Sequence, residues 1–294
     1  MGGGAICRPP CGAFGDAFWV GWNPDSRRNR TLQNGGFILT KIYTFVNQKG
    51  GVGKTTTTIN VAAYLAKMGQ RALVVDLDPQ ANATSCLGVD KLTVENSTYE
   101  ALLGNEDIFP YILLNERLNL SLLPSAPALA GAEVELVDEL ARESRLRKAL
   151  LKVANRFDYI LIDCPPSLGL LTVNGLMAAM DGVIVPVQCE YLALEGLGQL
   201  TETIERVRSA LFPELRVRGV VLTMFDNRTN LSADVVREVN KHFPNLVFKS
   251  VIPRNIRLAE APSYGLPISE YAPHSPGAEA YEALAKELLK GDKT

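Results

Sequence analysis

The sequence predicts a doubly wound α/β fold with a mostly parallel sheet, and two observations lead to this prediction. Short, continuously apolar runs recur along residues 41–294, as expected of strands that are covered on both faces. Longer amphipathic segments separate these runs, and strand–helix alternation at this spacing is typical of βαβ units. No linker or internal repeat divides the region, so we expect a single domain.

The predicted elements follow from this alternation. The expected strands are the apolar runs at residues 42–46, 72–75, 118–123, 159–162, 182–187, 217–224 and 246–252. The expected helices are the amphipathic segments at residues 56–68, 132–155, 192–211, 231–243 and 277–289. Ligands of such sheets bind outside the carboxyl ends of the strands, so the loops after each run are where functional residues are expected.

Composition excludes several classes of protein. Hydrophobic residues make up 47% of the 294 residues and charged residues 21%, which is typical of a chain with a sizeable core. No apolar run approaches the ~18–20 residues that span a bilayer. With a net charge of −2, the chain as a whole does not attract polyanions, so any polyanion would have to bind a local basic patch. Five cysteines without regular spacing argue against a disulfide framework, and two histidines leave little room for histidine-based catalysis.

Residues 1–40 differ from the rest of the chain. They are rich in glycine and proline and show neither a helical nor a strand period, so no packed element is expected there. We interpret them as a disordered tail or a non-native extension that the rest of the chain does not need. The alternative is a targeting or regulatory arm in which Arg27, Arg28 and Arg30 form a basic handle.

A glycine-rich loop follows the first predicted strand and precedes a helix. It reads Lys49-Gly50-Gly51-Val52-Gly53-Lys54-Thr55-Thr56. In this context glycines let backbone N–H groups converge on phosphate oxygens, and the helix dipole adds positive charge. Lys54 is expected to reach the β- and γ-phosphates, and the Thr55 hydroxyl to bind Mg²⁺. The general pattern asks for glycine at position 48, where this chain has Gln48.

Acidic residues follow two of the predicted strands at the same edge. Asp76 and Asp78 follow the second run, and Asp163 follows the fourth. Phosphoryl transfer needs charge neutralisation and a positioned water, which carboxylates at this place can provide. The alternative is that these acids only cap strand and helix ends.

The loop at residues 49–55 resembles the deviant Walker A motif of the ParA/MinD ATPases, and the preceding Asn47-Gln48 is similar to the chromosome-partitioning ParA/Soj branch. The resemblance extends over residues 41–290. Its further motifs are residues 76–80 (DLDPQ), 163–167 (DCPPS), 186–191 (PVQCEY) and 253–263 (PRNIRLAEAPS). Residues 1–40 have no counterpart in it.

The resemblance implies a Mg²⁺-dependent ATPase of the P-loop NTPase type. By this likeness Asp78 positions the attacking water, Asp163 belongs to the magnesium site, directly or through a water, and Asp76 supports that site. Lys49 would cross to the partner's phosphates in an ATP-sandwich homodimer, as an arginine finger does. A side chain at position 51 would obstruct the facing subunit. The alternative for Lys49 is that it merely adds positive charge to the loop.

The resemblance also suggests where the purine binds. Met224, Pro253 and Asn255 follow later strands at the same edge, and Asn255 is a candidate base contact; ordinary loop packing is the alternative. Cys164 and Cys189 raise the question of an iron–sulfur cluster like that of the related nitrogenase iron protein. We interpret them as small apolar fillers, because the loops that hold that cluster are not matched.

A local basic patch is present between residues 201 and 260, where ten Lys/Arg face seven Asp/Glu, a net charge of +3. Such a patch suits nonspecific contact with the phosphate backbone of double-stranded DNA, and a solvated basic face is the alternative. By resemblance to Soj-type proteins, Arg228 and Arg257 would be the DNA-backbone arginines. Arg206 and Arg208 could contribute from the neighbouring helix.

The function implied is DNA partitioning, for a chromosome or a plasmid. ATP would assemble a dimer that binds DNA, and hydrolysis to ADP and phosphate would release it. The resemblance further implies a ParB/Spo0J-like centromere-binding partner and a cytoplasmic, nucleoid-associated location, with no membrane contact. The alternative is a MinD-like membrane-surface ATPase, although the C-terminal helix looks like a packing helix. A metabolic P-loop enzyme is a third possibility, but no second substrate motif is seen.

Overall fold

The computed structural model describes residues 19–21, 40–104, 107–190 and 193–293. Its centre is an eight-stranded sheet with the strand order β1-β4-β5-β3-β6-β2-β7-β8. Strands β2, β3 and β5 to β8 are parallel, whereas β1 and β4 are antiparallel to their neighbours. The strands are β1 (Trp19–Gly21), β2 (Lys41–Phe45), β3 (Ala72–Asp76), β4 (Leu113–Asn115), β5 (Leu120–Leu123), β6 (Tyr159–Asp163), β7 (Gly182–Gln188) and β8 (Val217–Thr223).

Helices cover both faces of the sheet, which confirms the predicted doubly wound α/β fold. They are α1 (Lys54–Lys67), α2 (Asn82–Cys86), α3 (Thr98–Leu103), α4 (Leu129–Glu135), α5 (Arg145–Leu151), α6 (Leu170–Ala178), α7 (Ala193–Ala210), α8 (Asn230–His242), α9 (Ile256–Glu260), α10 (Ile268–Tyr271) and α11 (Pro276–Gly291). One apolar core joins α1, α2, α10 and α11 to the sheet, and a second joins α3 to α8 to its other face. The parallel strands are buried from both sides, as their continuous apolar runs predict, whereas β1 at the edge is largely exposed.

The predicted strand at residues 246–252 is wrong. This segment runs beside β8 and shares backbone hydrogen bonds with it, but among the described residues it forms one isolated bridge, Val220–Val247, and no continuous ladder. The reason lies in α11, because the carboxylate of Glu287 accepts the backbone N–H groups of Lys249 and Ser250 at 2.8 and 3.0 Å. A side chain therefore takes the hydrogen bonds that a strand ladder would need.

The single helix predicted at residues 132–155 is also wrong, since the structure divides it into α4, two short 3₁₀ turns and α5. Ala141 adopts a left-handed conformation with φ 53°, which no continuous helix allows. Asn174 of α6 stabilises the break. Its side chain accepts from the Leu146 N–H and donates to the Arg142 carbonyl, at 3.2 and 2.8 Å.

The two antiparallel strands were not predicted. β4 has three residues and pairs with β1, and the Trp19 indole donates a 2.9 Å hydrogen bond to the Leu87 carbonyl. The expectation that nothing within residues 1–40 packs is therefore wrong for Trp19–Gly21. The interpretation of residues 1–18 and 22–39 concerns positions outside the described residues. Among the described helices, none is long and apolar enough to span a membrane.

Candidate nucleotide-binding site

The candidate site lies at the carboxyl edge of the central strands. Asp76 of β3 and Asp163 of β6 are register partners, and Phe45 of β2 is the partner of Asp163 on the other side. The phosphate loop begins directly after β2, so the sheet brings the loop and both carboxylates together. This is the edge at which doubly wound sheets bind their ligands.

The phosphate loop is held to the sheet at its start. The Asn47 amide donates to the Pro186 carbonyl at 2.7 Å, and its carbonyl oxygen accepts from the Lys49 N–H at 3.0 Å. Gly51 and Gly53 have φ of 75° and 86°, in the region that favours glycine. Nothing within 4 Å would meet a Cβ at Gly51, so within one chain the backbone conformation, and not crowding, requires glycine there.

Lys54 opens α1 and is buried, with 6% of its surface exposed. Its ammonium donates to the Lys49 carbonyl at 3.2 Å, so the side chain folds back over the loop. Burial lowers the pKa of Lys54, and the nearby carboxylates of Asp163 and Asp78 oppose this shift. A buried cation directed at the loop is suited to binding phosphate oxygens.

Thr55 and Asp163 form the candidate magnesium site. The Thr55 hydroxyl donates to Asp163 at 2.6 Å, and the Thr58 hydroxyl approaches the other carboxylate oxygen at 3.4 Å. Burial, with Asp76 nearby, raises the pKa of Asp163 to about 8. A divalent cation would stabilise the charged carboxylate here, and hydroxyl and carboxylate oxygens are the ligands that Mg²⁺ prefers, so these residues fit the ion.

Both carboxylate oxygens of Asp76 accept hydrogen bonds from the residues that follow β3. One carboxylate oxygen accepts from the N–H and hydroxyl of Thr84 at 2.8 and 2.7 Å, and the other accepts from the Asp78 N–H at 3.2 Å. Burial raises its pKa to about 6. These contacts hold the backbone at Asp78 and match a supporting role better than a direct bond to metal.

Asp78 is buried but keeps one free oxygen. Its other oxygen accepts from the Gln80 N–H at 2.9 Å, and the Ser125 hydroxyl donates to its main-chain carbonyl at 2.7 Å. No donor among the described residues reaches the second carboxylate oxygen. Thr84 and Ser125, which fix this arrangement, were missed in the sequence because neither belongs to a recognisable motif.

Lys49 is half-buried at the tip of the loop. Its backbone takes part in two hydrogen bonds of the loop. Its ammonium forms no ion pair within the described ranges. The charge is therefore available to a ligand or a second subunit.

The two strand-end cysteines are packed, as expected. Cys164 and Cys189 are buried, and burial raises the pKa of both thiols. A Cβ at Gly175 would lie 2.5 Å from the Cys164 sulfur, so this thiol fills the space against α6.

The predicted purine region follows β8. Met224 has a left-handed φ of 53°, and the next residue, Phe225, bridges Pro253 in parallel. The Asn255 side chain caps α9 by accepting from the Arg257 N–H at 2.8 Å. The NH₂ group of this carboxamide and the second lone pair of its oxygen remain for a base.

The four candidate DNA-binding arginines are exposed, and each is paired with a carboxylate of its own segment. Arg228 contacts Asp226 through two nitrogens, at 2.9 and 2.6 Å, and holds the pKa of that carboxyl well below its usual range. Arg257 contacts Glu260 at 2.8 Å. The other two pairs are Arg206–Glu202 and Arg208–Glu205 on α7.

The structure brings the first two of these arginines to neighbouring segments. The bridge between Phe225 and Pro253 joins the segment that leads to Arg228 to the segment that leads to Arg257. Arg206 and Arg208 lie on α7, which packs against α8.

The fold and the loop define a P-loop nucleotide-binding protein. A family model described as an AAA domain matches residues 40–217. The sporulation initiation inhibitor protein Soj of Bacillus subtilis is 54% identical over 250 residues, which cover 85% of this chain and 98% of that protein. The chromosome partitioning protein ParA of Myxococcus xanthus is 51% identical over 260 residues, covering 88% and 92%.

Among solved structures, cobyrinic acid a,c-diamide synthase from Mycobacterium smegmatis with bound ADP and magnesium superposes with a TM-score of 0.77. It is 40% identical, and the match covers 87% of this chain and 96% of that one. The same protein was also solved with an ATP analogue and magnesium. This chain belongs to the ParA/Soj branch of the ParA/MinD family of P-loop ATPases.

Proposed function

We propose that this chain is a Mg²⁺-dependent partitioning ATPase in which the nucleotide switches a dimer on and off DNA. The observation that carries the proposal is the cluster of Lys54, Thr55 and Asp163 at the phosphate loop, next to a Lys49 ammonium that forms no ion pair with any described residue. The first three residues can hold a magnesium–nucleotide complex in one chain. Lys49 adds a cation that nucleotide binding within one chain does not require.

Nucleotide binding is assigned to residues 49–56, with Lys54 on the β- and γ-phosphates. Thr55 and Asp163 hold Mg²⁺, directly or through a water, and Asp76 supports the backbone beside them. The bound ion supplies neutralisation of phosphate charge. Met224, Pro253 and Asn255 line the purine end, with the Asn255 NH₂ group as the base contact.

Hydrolysis is assigned to Asp78. Its free carboxylate oxygen, held rigid by the Gln80 and Ser125 contacts, can accept a hydrogen bond from the attacking water. Orienting this water requires little basicity, because the transition state of phosphoryl transfer demands little proton removal. Asp78 thereby acts after ATP has bound and does not contribute to holding it.

Lys49 is assigned to the partner's phosphates. A cation supplied by a second subunit makes nucleotide binding and dimerisation one event, because each then stabilises the other. Gly51, with open space above its Cα, permits close approach of the second subunit. ATP therefore favours a homodimer, and loss of the γ-phosphate releases it.

DNA binding is assigned to Arg228 and Arg257, with Arg206 and Arg208 beside them. These exposed side chains can exchange their carboxylate partners for backbone phosphates, because exposed ion pairs contribute little stability. Contacts to phosphates carry no sequence readout, so binding is expected to be nonspecific. Dimerisation doubles the number of contacts, which links DNA affinity to ATP.

The proposal extends to a ParB/Spo0J-like partner that stimulates hydrolysis and to a cytoplasmic, nucleoid-associated location. Both are supported by the identity to Soj and ParA proteins. The solved diamide synthase points to a metabolic reaction, but its identity of 40% is lower than that of either partitioning relative.

The membrane-surface alternative is disfavoured by α11. The apolar residues Tyr281, Leu284 and Leu288 of this helix are buried against the core. Asp292, just beyond the helix, accepts hydrogen bonds from the hydroxyls of Tyr43 and Tyr159 at 2.7 and 3.0 Å. A helix whose apolar face is buried and whose end is anchored cannot present that face to lipid.

The test measures DNA binding and oligomeric state together, with ATP, with ADP and without nucleotide. We expect a dimer that binds duplexes of unrelated sequence only with ATP. Co-sedimentation with anionic vesicles is measured in parallel. Binding to vesicles without binding to DNA would favour the MinD-like alternative, and DNA binding that ignores the nucleotide would contradict the switch.

A further inference from the structure

Thr223, the last residue of β8, lies behind the phosphate loop. It is buried, with 2% of its surface exposed, and its hydroxyl donates a 2.8 Å hydrogen bond to the Val52 carbonyl. No other donor in the described part of the chain reaches that carbonyl. The bond joins residues that are 171 positions apart in the sequence.

The position of this carbonyl determines how the loop presents its N–H groups. Val52 stands between Gly51 and Gly53, both in the left-handed region, where glycine can adopt several backbone conformations. In a trans peptide the carbonyl of one residue and the N–H of the next point in opposite directions. Holding the Val52 carbonyl against Thr223 therefore directs the Gly53 N–H away from the core, to the side where phosphates bind.

The two branches of the Thr223 side chain have separate surroundings. The hydroxyl holds the Val52 carbonyl, whereas the methyl group faces Gly53, 3.8 Å from the position that a Cβ there would occupy. Substitutions can therefore remove the hydroxyl and keep the methyl group, or the reverse. Valine keeps the methyl group and loses the hydroxyl, and serine does the reverse.

We propose that Thr223 is a positioning residue for ATP binding, which acts by fixing the Val52–Gly53 peptide through its hydroxyl. Without this bond the Val52 carbonyl must turn toward water to find a donor, because an unpaired buried carbonyl is costly. The loop then occupies its phosphate-binding conformation for only part of the time, and the apparent affinity falls by that fraction.

The experiment compares Thr223→Val and Thr223→Ser in the full chain, by titration with ATP and by steady-state ATPase kinetics. We expect Thr223→Val to raise the Kd and KM for ATP roughly tenfold. Its kcat at saturating ATP should stay within about twofold of wild type, since bound phosphates restore the loop. Thr223→Ser should bind ATP like the wild type.

The matched control is Thr44→Val, because the Thr44 hydroxyl also donates to a buried carbonyl, that of Gly175 at 2.7 Å. It should lower the melting temperature without changing the Kd for ATP. Thr223→Ala removes the same hydroxyl without placing a methyl group against the carbonyl, and gives the same readout if the valine variant does not fold. Unchanged affinity in the variants lacking the hydroxyl would overturn the proposal. So would an equal loss of affinity in Thr223→Ser or in Thr44→Val.

Discussion

Replacing Arg228 and Arg257 together with alanine should abolish ATP-dependent DNA binding and leave dimerisation intact. The two side chains are 81% and 55% exposed, and each contacts a carboxylate of its own segment. Their removal costs the fold little, because such exposed pairs stabilise it weakly. Any effect on DNA should therefore come from lost phosphate contacts.

The expected size follows from the number of charges. A dimer carries two copies of each arginine, and each phosphate contact contributes about 0.9 to the slope of log affinity against log salt. Losing all of these contacts would lower the slope by up to about 3.6. Raising the salt concentration fourfold would then weaken DNA binding by the wild type roughly a hundredfold more than DNA binding by the variant. The released carboxylates of Asp226 and Glu260 also repel phosphate, so the variant should bind DNA more weakly than the lost contacts alone imply.

The assay is fluorescence anisotropy with two duplexes of unrelated sequence, in ATP, from about 50 to 200 mM salt. The control variant combines Arg237→Ala with Lys241→Ala, which removes the same charge from paired, exposed positions on α8. It should keep most of the affinity. Wild-type affinity and slope in the double arginine variant would refute the assignment, and loss of the dimer would place these arginines at the subunit interface.

Three further predictions concern the nucleotide site and the N-terminal strand. Lys54→Ala should abolish ATP binding, whereas Asp78→Ala should bind ATP and dimerise without hydrolysing it. Size-exclusion chromatography with ATP distinguishes the two variants. A monomeric Asp78→Ala protein would contradict the role assigned to Asp78. Tyr281→Phe should lose about 1 kcal/mol of stability, because its hydroxyl meets that of Thr57 at 3.1 Å in the core, and denaturant unfolding would measure it. A chain beginning at Thr40 loses the Trp19–Leu87 hydrogen bond, so its melting temperature should fall by roughly 2–4 °C with the ATPase rate unchanged. A lost rate would show that the segment contributes to function.

The central strands and the phosphate loop could be predicted because their signals are local. β3 and β6 are continuous apolar runs that end in Asp76 and Asp163, and strands of this kind are buried on both faces. The loop lies between a strand and a helix, with its glycines next to Lys54. Parallel pairing then places these residues at one edge without further information.

The errors arose where distant side chains replace backbone partners. Residues 246–252 have the composition of a strand, yet Glu287 of α11 accepts two of their N–H groups. The helix predicted at 132–155 is interrupted at Ala141, and Asn174 of α6 binds Arg142 and Leu146 just after the break. The pattern of apolar residues in a segment does not predict such hydrogen bonds, because the polar side chain that forms them lies elsewhere in the chain.

The contacts of the phosphate loop could likewise be predicted only in part from the sequence. The residues proposed to bind phosphate and metal form a spaced motif, because their side chains or N–H groups would contact the ligand directly. The residues that hold the opposite side of the loop need only place one hydroxyl on one carbonyl. Thr223 does so on Val52 at 2.8 Å, from 171 positions away in the sequence. A hydroxyl used in this way has no characteristic spacing in the sequence. The residues that hold the loop can therefore be identified only from the fold, whereas the residues proposed to bind the ligand can be identified from the motif.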